Sequence, residues 1–528
     1  MNAANRDDLL FALTTTAAAL LGLVVAWSLG IGHPWWAAMT LWLVAQPTRG
    51  LLLERAIARL AGTAIGAVIG STILLMAAGD RLIVLVALAI WLSLCAAGGS
   101  VFRHFRTYAF VLAGYSAAII ALFGLAQHGG DASVPADRIY ATVIGILCSV
   151  LVSVIIVRPS DDRRLAAELE DLVGRCLDRI ETFLVCRTAP APEPLLHDLL
   201  VLDRGADDSA AGSARERRAA WQVRRTSGVL LELLALTPTT KRSPHPAAPS
   251  GDCGGARIKR LCALAEAQGQ SRLASRVHEL GEAMTGPTLA WNLRGRLATV
   301  DPRRVARAAL RPLLAFSIAS AIWLATDWRE GTVMVMTAAL FSSLFSSHRD
   351  GNRALLDALL GSVLGAIIGA AFRLFVLPPD DVVISVIQLL PILLAGAWFM
   401  RVRRTAKPAI DFTMTLLLIA QPLSPPTSFS ATLGASAAII AGIVIAFGAF
   451  RVFVPASVAV SRRSLWQRIE RLAAQRRMAP NPMAANHNRA ALREAVLRLL
   501  HTTPPDRIDA ALALAVLADA KRDSCVPR

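Results

Sequence analysis

The chain has 528 residues, of which 55% are hydrophobic and only 18% are charged. This composition supplies far more apolar surface than the core of one soluble protein of this length can bury, so the excess must face lipid. The formal net charge is +17, but the basic residues stand mostly in loops and polar segments, so we expect no binding of nucleic acid. Composition therefore favours a membrane protein and argues against a soluble enzyme.

Twelve apolar runs follow one another along the chain, six on each side of a long polar segment. Most are long enough, at 1.5 Å per residue, to cross a hydrocarbon core of about 30 Å as helices. We interpret the first run as a retained helix rather than a signal peptide, because acidic residues precede it. The second and eighth are short, which predicts tilted interior helices or broken ones. The predicted spans are residues 9–30, 34–46, 55–78, 82–99, 108–126, 139–157, 308–326, 332–345, 355–377, 382–400, 409–421 and 431–454.

Lys and Arg are distributed unevenly between alternate loops, and this bias sets orientation in a membrane. The basic-rich side is predicted to be cytoplasmic, which also places both termini and the central polar segment in the cytoplasm. The rich side holds Arg49, Arg55, Arg103, Arg106, Arg349, Arg353, Arg401, Arg403, Arg404 and Lys407. The opposite side holds Arg81, Arg138 and Arg329.

The two sets of apolar runs share a sequence pattern. Three glycines at four-residue spacing in the third span recur 299 residues later, and an arginine pair recurs 298 residues later. Because each set has an even number of spans, the repeats are expected to be parallel, related by an axis along the membrane normal. The glycines are Gly62, Gly66 and Gly70, then Gly361, Gly365 and Gly369. The arginines are Arg103 and Arg106, then Arg401 and Arg404.

The segments between and after the repeats are polar and basic, with helical periodicity over residues 165–185 and 258–284. A loop rich in Pro, Gly and Ser, residues 237–255, divides the central segment. The predicted fold is an all-α membrane protein with two parallel six-helix repeats, about twelve transmembrane helices and a helical cytoplasmic domain. Its predicted parts are the first repeat (1–157), the cytoplasmic domain (158–305), the second repeat (306–455) and a helical C-terminal tail (456–528).

The repeated glycines leave a groove on one face of each helix, so that another backbone can approach closely. We interpret all six as helix-packing residues, with a moving interface as the alternative. The motif GxxxxGKS/T does not occur in the chain, which argues against a phosphate-binding loop. Cys and His are scattered without metal-ligand spacing, so we expect no metal and no cofactor.

Charged residues within or near the spans are the candidates for transport chemistry. Asp411 lies about one turn into the eleventh span, where a carboxylate must be paired, hydrated or protonated, so it is the first candidate for a proton carrier. An ion pair with Arg404 or Lys407 is the alternative. An arginine near a span end can snorkel to the headgroups or face a cavity and bind an anion. The candidate transport residues are Asp411, Arg49, Arg106, Arg138 and Arg373.

Interruptions in the helical pattern mark a candidate solute path, because freed backbone groups at a broken helix can line a cavity. Gln46 and Pro47 interrupt the pattern after the second span, and Gln421 closes the eleventh. Trp36 could stack on an aromatic solute or belong to the aromatic belt at the membrane interface. The candidate substrate-path residues are Trp36, Gln46, Pro47, Tyr108 and Gln421.

The first repeat carries short motifs in a characteristic order: a tryptophan, then P-x-R-G, then R-x-x-G-T-x-x-G, and later R-x-Y-x-x-x-L-x-G. This order, with the layout of six spans, soluble segment and six spans, resembles the fusaric acid resistance and aromatic acid exporter family. The chain departs from the pattern in a rather short cytoplasmic segment and in a second repeat whose Arg-Gly element is reduced to His348-Arg349-Asp350-Gly351. The motif residues are Trp35, Trp36, Pro47, Arg49, Gly50, Arg55, Arg59, Gly62, Thr63, Gly66, Arg106, Tyr108, Leu112 and Gly114.

The resemblance implies an efflux permease of the bacterial inner membrane that exports small, often aromatic, carboxylic acids or related toxic compounds and is driven by the proton gradient. The implied partners are the lipid bilayer, the organic anion and a periplasmic adaptor subunit. Glycine-rich helix faces and the resemblance also favour a homo-oligomer. The substrate itself is not transferable from the family.

Two other functions stay open. One is an anion channel, in which arginines form a selectivity ring. The other is a membrane scaffold, whose basic cytoplasmic domain binds an acidic partner or anionic headgroups. No nucleophile with a neighbouring base and no paired carboxylates occur within a predicted span, so we do not expect an enzyme.

Overall fold

The structure is a computed structural model that describes residues 3–44, 49–102, 105–126, 133–156, 164–187, 189–209, 214–237, 255–285, 302–346, 351–376, 381–402, 404–425, 427–452, 458–478, 482–501 and 516–517. The chain divides into two compact units. The first unit comprises Met1–Pro159 and Leu293–Ser457, and the second comprises Ser160–Asn292 and Val458–Arg528. The central polar segment and the C-terminal tail therefore pack into one unit.

The first half of the first unit has six apolar helices. They are α1 (Ala3–Ser28), α2 (Trp35–Val44), α3 (Arg49–Met76), α4 (Arg81–Val101), α5 (Phe105–Ala126) and α6 (Ser133–Ile156). Asp80 begins α4, because its carboxylate accepts hydrogen bonds from the backbone N–H groups of Leu82 at 2.8 Å and Ile83 at 3.1 Å. The preceding turn contains Gly79 at φ +83°, a left-handed conformation that glycine adopts at little cost.

Five amphipathic helices follow in the central segment and belong to the second unit. They are α7 (Arg164–Cys186), α8 (Glu193–Ser209), α9 (Ala214–Leu236), α10 (Gly255–Ala267) and α11 (Ser271–Thr285). The sequence predicts continuous helical periodicity over residues 258–284, and the structure divides this stretch at Gly269, whose φ is +70°. A left-handed glycine ends α10 and lets α11 fold back against it.

The second half of the first unit repeats the six-helix order. Its helices are α12 (Pro302–Thr326), α13 (Gly331–Phe345), α14 (Gly351–Ala371), α15 (Val382–Phe399), α16 (Ala406–Ala420) and α17 (Phe429–Val452). A π-helical turn, Phe372–Val376, continues α14. Asp381 caps α15 by accepting a hydrogen bond of 3.0 Å from the N–H of Ile384, much as Asp80 caps α4.

The last two described helices complete the second unit. They are α18 (Val458–Arg477) and α19 (Pro482–Leu500). Their apolar faces share one core with α7 to α11, in which Leu231 and Leu499 are fully buried. Arg493 of α19 donates hydrogen bonds to Glu232 of α9 at 2.8 Å and to Glu279 of α11 at 2.7 Å, so ion pairs also join these helices.

Nine helices in the described part of the chain are long and apolar enough to cross a bilayer, and all nine belong to the first unit. They are α1, α3, α4, α5, α6, α12, α14, α15 and α17. Helices α2 and α13 are apolar but shorter, as the sequence predicts for the second and eighth spans. The prediction of an all-α membrane protein is confirmed.

The two short helices lie in the interior of the first unit. Most residues of α2 and of α13 are buried. A helix of 10 residues rises only about 15 Å, which is about half of a hydrocarbon core. Neighbouring helices must therefore surround the ends of α2, where backbone groups would otherwise meet lipid.

The two halves of the first unit pack by the same scheme. The third helix of each half lies against the fifth, and the second lies against the first and the sixth. Between the halves, α1 packs on α15 as α12 packs on α4, and α2 packs on α16 as α13 packs on α5. Each of these helices thus contacts, in the other half, the equivalent of the helix that its own counterpart contacts. A two-fold relation between the halves produces this pattern.

Candidate functional site

Arg59 is a fully buried arginine within the candidate membrane span of α3, with only 1% of its surface exposed. Its Nη1 donates hydrogen bonds to the hydroxyl groups of Tyr108 at 2.9 Å and Tyr115 at 3.4 Å. Its Nη2 donates to Oγ1 of Thr40 at 3.3 Å. Hydroxyl groups from α2 and α5 therefore hold this guanidinium in place.

Arg138, near the start of α6, is a second buried arginine, with 5% of its surface exposed. Its Cζ lies 5.0 Å from the ring centroid of Trp36, within the range of a cation–π contact. Arg138 also lies within electrostatic range of Arg59, Tyr108 and Tyr115. Two guanidinium groups and three aromatic rings thus share one region of the first half.

Together these side chains form the arginine–tyrosine cluster, which consists of Arg59, Arg138, Tyr108, Tyr115, Thr40 and Trp36. Among the residues that the structure describes, no carboxylate pairs with either arginine, and the Nε of each has no hydrogen-bond partner. Burying an ion without a counter-charge costs several kcal/mol, and a charge-assisted hydrogen bond to an anion offsets that cost. The cluster is therefore suited to bind a small anion, with aromatic faces on which a flat solute can stack.

The glycine face of α3 sets the approach of the two tyrosines on α5. A Cβ added to Gly62 would lie 2.6 Å from the carbonyl oxygen of Ala109, and one added to Gly70 would lie 2.7 Å from that of Ala117. Only glycine allows the two backbones to come this close. In the second half, the equivalent glycines make the same backbone contacts, with both partners 299 residues further along the chain. These contacts are Gly361 with Pro408, Gly365 with Phe412 and Gly369 with Leu416.

The structure brings three predicted site residues, Arg138, Trp36 and Tyr108, into one cluster. Arg59 is predicted only as part of a family motif, and Tyr115 and Thr40 are not among the predicted site residues. The spacing held a usable signal for Arg59, because Arg59 stands three and seven residues before Gly62 and Gly66. These separations place all three residues on one helix face. An arginine on a packing face inside a span must point into the bundle.

Asp411 is buried in α16, with 8% of its surface exposed. Within the described residues, its carboxylate makes no hydrogen bond and no ion pair. Neither Arg404 nor Lys407, the two partners that the sequence suggested, pairs with it. Lys407 and Asp357 lie within electrostatic range of it. A buried carboxylate without a partner suits a group that binds and releases a proton.

Arg373, in the π-helical turn, is held by backbone carbonyl groups. Its Nη1 donates to Gln421 at 2.7 Å and to Ala420 at 3.2 Å, its Nη2 donates to Pro425, and its Nε donates to Oγ1 of Thr427 at 3.3 Å. These carbonyls are available because α16 ends at Gln421, whose φ is +39°. Arg373 and Gln421 therefore stabilise the end of α16, and most donors of Arg373 are occupied.

The other predicted candidates lie elsewhere or outside the described side chains. Arg106 is exposed near the start of α5. Arg49 is the first residue of α3, but its side chain lies outside the described part, as do Gln46 and Pro47.

Comparison with known proteins identifies relatives of this chain. The model of the fusaric acid resistance protein family matches residues 8–285 and 255–521. The uncharacterized transporter YdhK of Escherichia coli K12 is 31% identical over 174 residues, which are 32% of this chain and 25% of that protein. The p-hydroxybenzoic acid efflux pump subunit AaeB of Edwardsiella ictaluri is 26% identical over 388 residues, which are 63% and 59% of the two chains.

A second AaeB, from Pantoea ananatis, is 31% identical over 179 residues, which are 32% of this chain and 27% of that protein. The chain therefore spans between a quarter and three fifths of the length of these relatives. No solved structure matches it. Because the family model matches nearly the whole length, the chain belongs to the fusaric acid resistance protein family.

Proposed function

We propose that this protein is an efflux permease that exports small organic acids, aromatic carboxylic acids above all, from the bacterial cytoplasm. Membership of the family and the multi-pass membrane unit support a transport function. Two of the relatives are named as subunits of a p-hydroxybenzoic acid efflux pump, which supports the aromatic acid. The sequence contains no nucleotide-hydrolysis motif, so the energy comes from an ion gradient or from a partner chain.

The observation that carries this proposal is the buried pair Arg59 and Arg138. A carboxylate that enters the cluster accepts hydrogen bonds from guanidinium groups and offsets their desolvation. The ring of an aromatic acid then packs against Trp36, Tyr108 and Tyr115. Because the tyrosine hydroxyls already occupy donors of Arg59, the anion is held by few new bonds. Weak binding of this kind allows release on the other side.

We further propose that Asp411 carries the coupling proton. A protonated carboxyl group is far less costly to bury than a carboxylate, so Asp411 takes up a proton when water reaches it and keeps it when the path closes. Release of that proton to the cytoplasm, while the anion leaves on the other side, couples the two movements. The lack of an ion-pair partner for Asp411 within the described residues supports this role.

The proposed setting is the bacterial inner membrane, with both termini and the second unit in the cytoplasm. The excess of Lys and Arg in alternate loops supports this orientation. A periplasmic adaptor subunit and a homo-oligomer complete the proposed assembly.

Uptake of labelled p-hydroxybenzoate into everted membrane vesicles, driven by an imposed pH gradient, tests the proposal. We expect Arg138→Gln to lower the initial rate at least tenfold at equal protein level. Arg329→Gln is the matched control, since Arg329 is an exposed arginine predicted on the same side of the membrane as Arg138, and its rate should stay at that of the wild type. Wild-type rates in Arg138→Gln vesicles, or no uptake by the wild type, would overturn the proposal.

The buried arginines also favour the second candidate function, an anion channel. Benzoate currents across a planar bilayer distinguish the two functions. Currents that persist without a pH gradient and are unchanged by Asp411→Asn would establish the channel, whereas gradient-dependent flux without single-channel currents supports the permease.

A further inference from the structure

We infer that the anion crosses this protein through the first six-helix repeat alone, along a line of alternating arginine and aromatic side chains, and not between the two repeats. The inference rests on the proposed function, because it places the route that the permease uses. It is carried by three observations: the continuity of the line, its absence from the second repeat, and the apolar cores of the contacts between the repeats.

Helices α3 and α5 run parallel, and the line begins near their N-terminal ends, on one side of the bundle. There the Cζ of half-buried Arg55 lies 5.1 Å from the ring centroid of Tyr108. The hydroxyl of Tyr108 accepts a hydrogen bond from buried Arg59 at 2.9 Å, and Arg59 reaches the hydroxyl of Tyr115 at 3.4 Å. Each arginine along this stretch is therefore separated from the next by an aromatic ring.

The line continues towards the opposite side, where α2 and α6 begin. Arg138 lies within electrostatic range of Tyr115 and stacks over Trp36. The ring of Trp36 stacks on half-buried His33, with 4.3 Å between ring centroids and 11° between the planes. The line is thus half-buried at both ends and buried from Arg59 to Trp36, and a route between the two sides of the bundle requires such a profile.

The second repeat does not contain this line, although its packing is equivalent. A Cβ on Gly145 would lie 2.8 Å from the Cβ of Thr40, and a Cβ on Gly442 would lie 2.8 Å from that of Thr337. This pair of contacts aligns α2 with α13 and α6 with α17 at an offset of 297 residues. The glycine contacts of α3 and α14 align α3 with α14 and α5 with α16 at an offset of 299 residues. At these offsets Trp36 corresponds to Val333, Arg59 to Ala358, Tyr108 to Lys407, Tyr115 to Met414 and Arg138 to Ala435.

The same helix packing forms in the second repeat without these residues, so helix packing does not require them. The helix contacts are repeated, whereas the arginines and the aromatic rings are not. The arginine–tyrosine cluster therefore serves a function of the first repeat that the second repeat does not share. The second repeat instead has Asp411 at the position of Leu112, which separates the proposed proton carrier from the proposed anion route.

The buried cores of the contacts between the repeats are apolar, and the ion pairs Arg401–Asp8 and Arg81–Asp327, which also join the repeats, lie at partly exposed positions. Where α1 and α2 meet α15 and α16, fully buried Leu23 and Trp42 share one core with Leu393 and Leu417. The other junction, of α4 and α5 with α12 and α13, has a core that contains Leu88, Leu122, Phe316 and Val335. An anion would have to shed its hydration shell in such a core without gaining any hydrogen bond. Other transporters with parallel repeats bind solute between the repeats, but here the buried arginine–tyrosine cluster lies inside one repeat.

Matched cysteine variants test this placement. Thr40 and Thr337 are equivalent buried threonines, and each donates a hydrogen bond to the carbonyl four residues earlier, at 2.9 Å and 2.8 Å. In full-length protein whose seven native cysteines are replaced, Thr40→Cys and Thr337→Cys are exposed to sulfonatoethyl methanethiosulfonate, a small anionic thiol reagent. We expect modification of Thr40→Cys at least tenfold faster than that of Thr337→Cys, and at least fivefold slower when benzoate is present.

A second pair covers the case in which Thr40→Cys does not fold. Thr63 stands one turn after Arg59 and is buried, and its equivalent Ser362 is buried as well. Thr63→Cys and Ser362→Cys should show the same contrast. Faster modification of the second-repeat cysteine in both pairs, or equal rates within each pair without protection by benzoate, would overturn the inference.

The labelling result is independent of export. Protection confined to the first repeat, in a protein whose vesicles do not accumulate p-hydroxybenzoate, would leave the route intact and refute the permease. Robust export with protection confined to the second-repeat cysteines would retain the permease and refute the route.

Discussion

The hydroxyl group of Tyr108 accepts a hydrogen bond of 2.9 Å from Nη1 of Arg59, and this bond crosses the glycine-lined contact between α3 and α5. A buried guanidinium needs such acceptors, because within the described residues no carboxylate pairs with it. The same tyrosine ring faces Arg55. Tyr108 thus stands between two arginines and links helix packing with the proposed anion site.

Tyr108→Phe keeps the ring and removes the acceptor. A hydrogen bond to a charged group contributes about 1.5–3 kcal/mol, so we expect the unfolding temperature to fall. Because the donor of Arg59 that Tyr108 occupied becomes available to the anion, we expect the Kd for benzoate to fall about tenfold. Thermal unfolding in detergent and isothermal titration with benzoate measure the two effects. Tyr140→Phe is the control, because Tyr140 is 56% exposed. Unchanged benzoate affinity in Tyr108→Phe would remove Tyr108 from the site.

Gly66→Ala should impair the folded membrane unit. A Cβ at this position would lie 2.7 Å from the Cβ of Ser116, so α3 and α5 must move apart. Overpacking of this kind costs about 1–3 kcal/mol, and we expect less monodisperse protein in detergent and a lower unfolding temperature. Gly448→Ala is the control, since nothing lies within 4 Å of a Cβ there, and helix propensity predicts a gain of up to about 1 kcal/mol. Equal stability of the two variants would contradict the packing role.

Asp411→Asn should uncouple export from the proton gradient. The amide keeps the size of the carboxyl group but cannot exchange a proton, so gradient-driven uptake of p-hydroxybenzoate into everted vesicles should fall at least tenfold. Downhill exchange of the substrate should persist. Asp381→Asn is the control, because asparagine caps a helix as well as aspartate does. Full gradient-driven uptake in Asp411→Asn vesicles would show that another group carries the proton.

Arg373→Gln should weaken the fold and leave the anion site unaffected. The variant leaves the carbonyls of Ala420 and Gln421 without their guanidinium donor, and each unsatisfied buried group costs about 1–3 kcal/mol. We expect a lower unfolding temperature with an unchanged Kd for benzoate in the protein that remains folded. Arg451→Gln is the control, because Arg451 lies exposed near the end of α17. A large rise in the Kd for benzoate without loss of stability would show that Arg373 binds the anion.

The ion pairs of Glu279 should make the stability of the second unit sensitive to acid. Burial disfavours its charged form, but the hydrogen bonds and charges of Arg493 and Arg276 outweigh burial and hold its pKa below the ordinary value. The stabilisation is therefore complete above the unfolded-state pKa of about 4.3 and is lost as the pH falls through the lower folded-state pKa.

Hydrogen exchange of the full-length protein at several pH values measures this effect in the peptides of α11. Protection in the wild type should fall steeply below about pH 4, whereas Glu279→Gln should be less protected at pH 7 and change less on acidification. Glu282→Gln, at an exposed position of the same helix, should behave like the wild type. Identical pH profiles for the wild type and Glu279→Gln would exclude the ion pairs as the cause.

Several features of the fold follow directly from sequence patterns. Long uncharged runs cannot be buried in a soluble protein of this length, and glycines at four-residue spacing make a smooth helix face in any environment. The repeated glycines of α3 and α14 therefore indicated both the close contacts and the equivalence of the halves. Short apolar runs likewise indicated α2 and α13, since a helix too short to cross the bilayer needs other helices around it.

The sequence alone did not reveal which polar residues meet. Trp36 and Arg138 lie on different helices and are brought together only when α2 packs against α6, and periodicity along one helix does not encode the choice of neighbour. Arg373 is one of the predicted transport residues, and only the tertiary structure shows that its guanidinium donates hydrogen bonds to the carbonyl groups at the left-handed end of α16. The sequence by itself determined a two-repeat helical membrane protein, because hydrophobic periodicity is local. Tertiary structure decided that the buried arginines of the first repeat lie in one cluster, because that depends on contacts between distant segments.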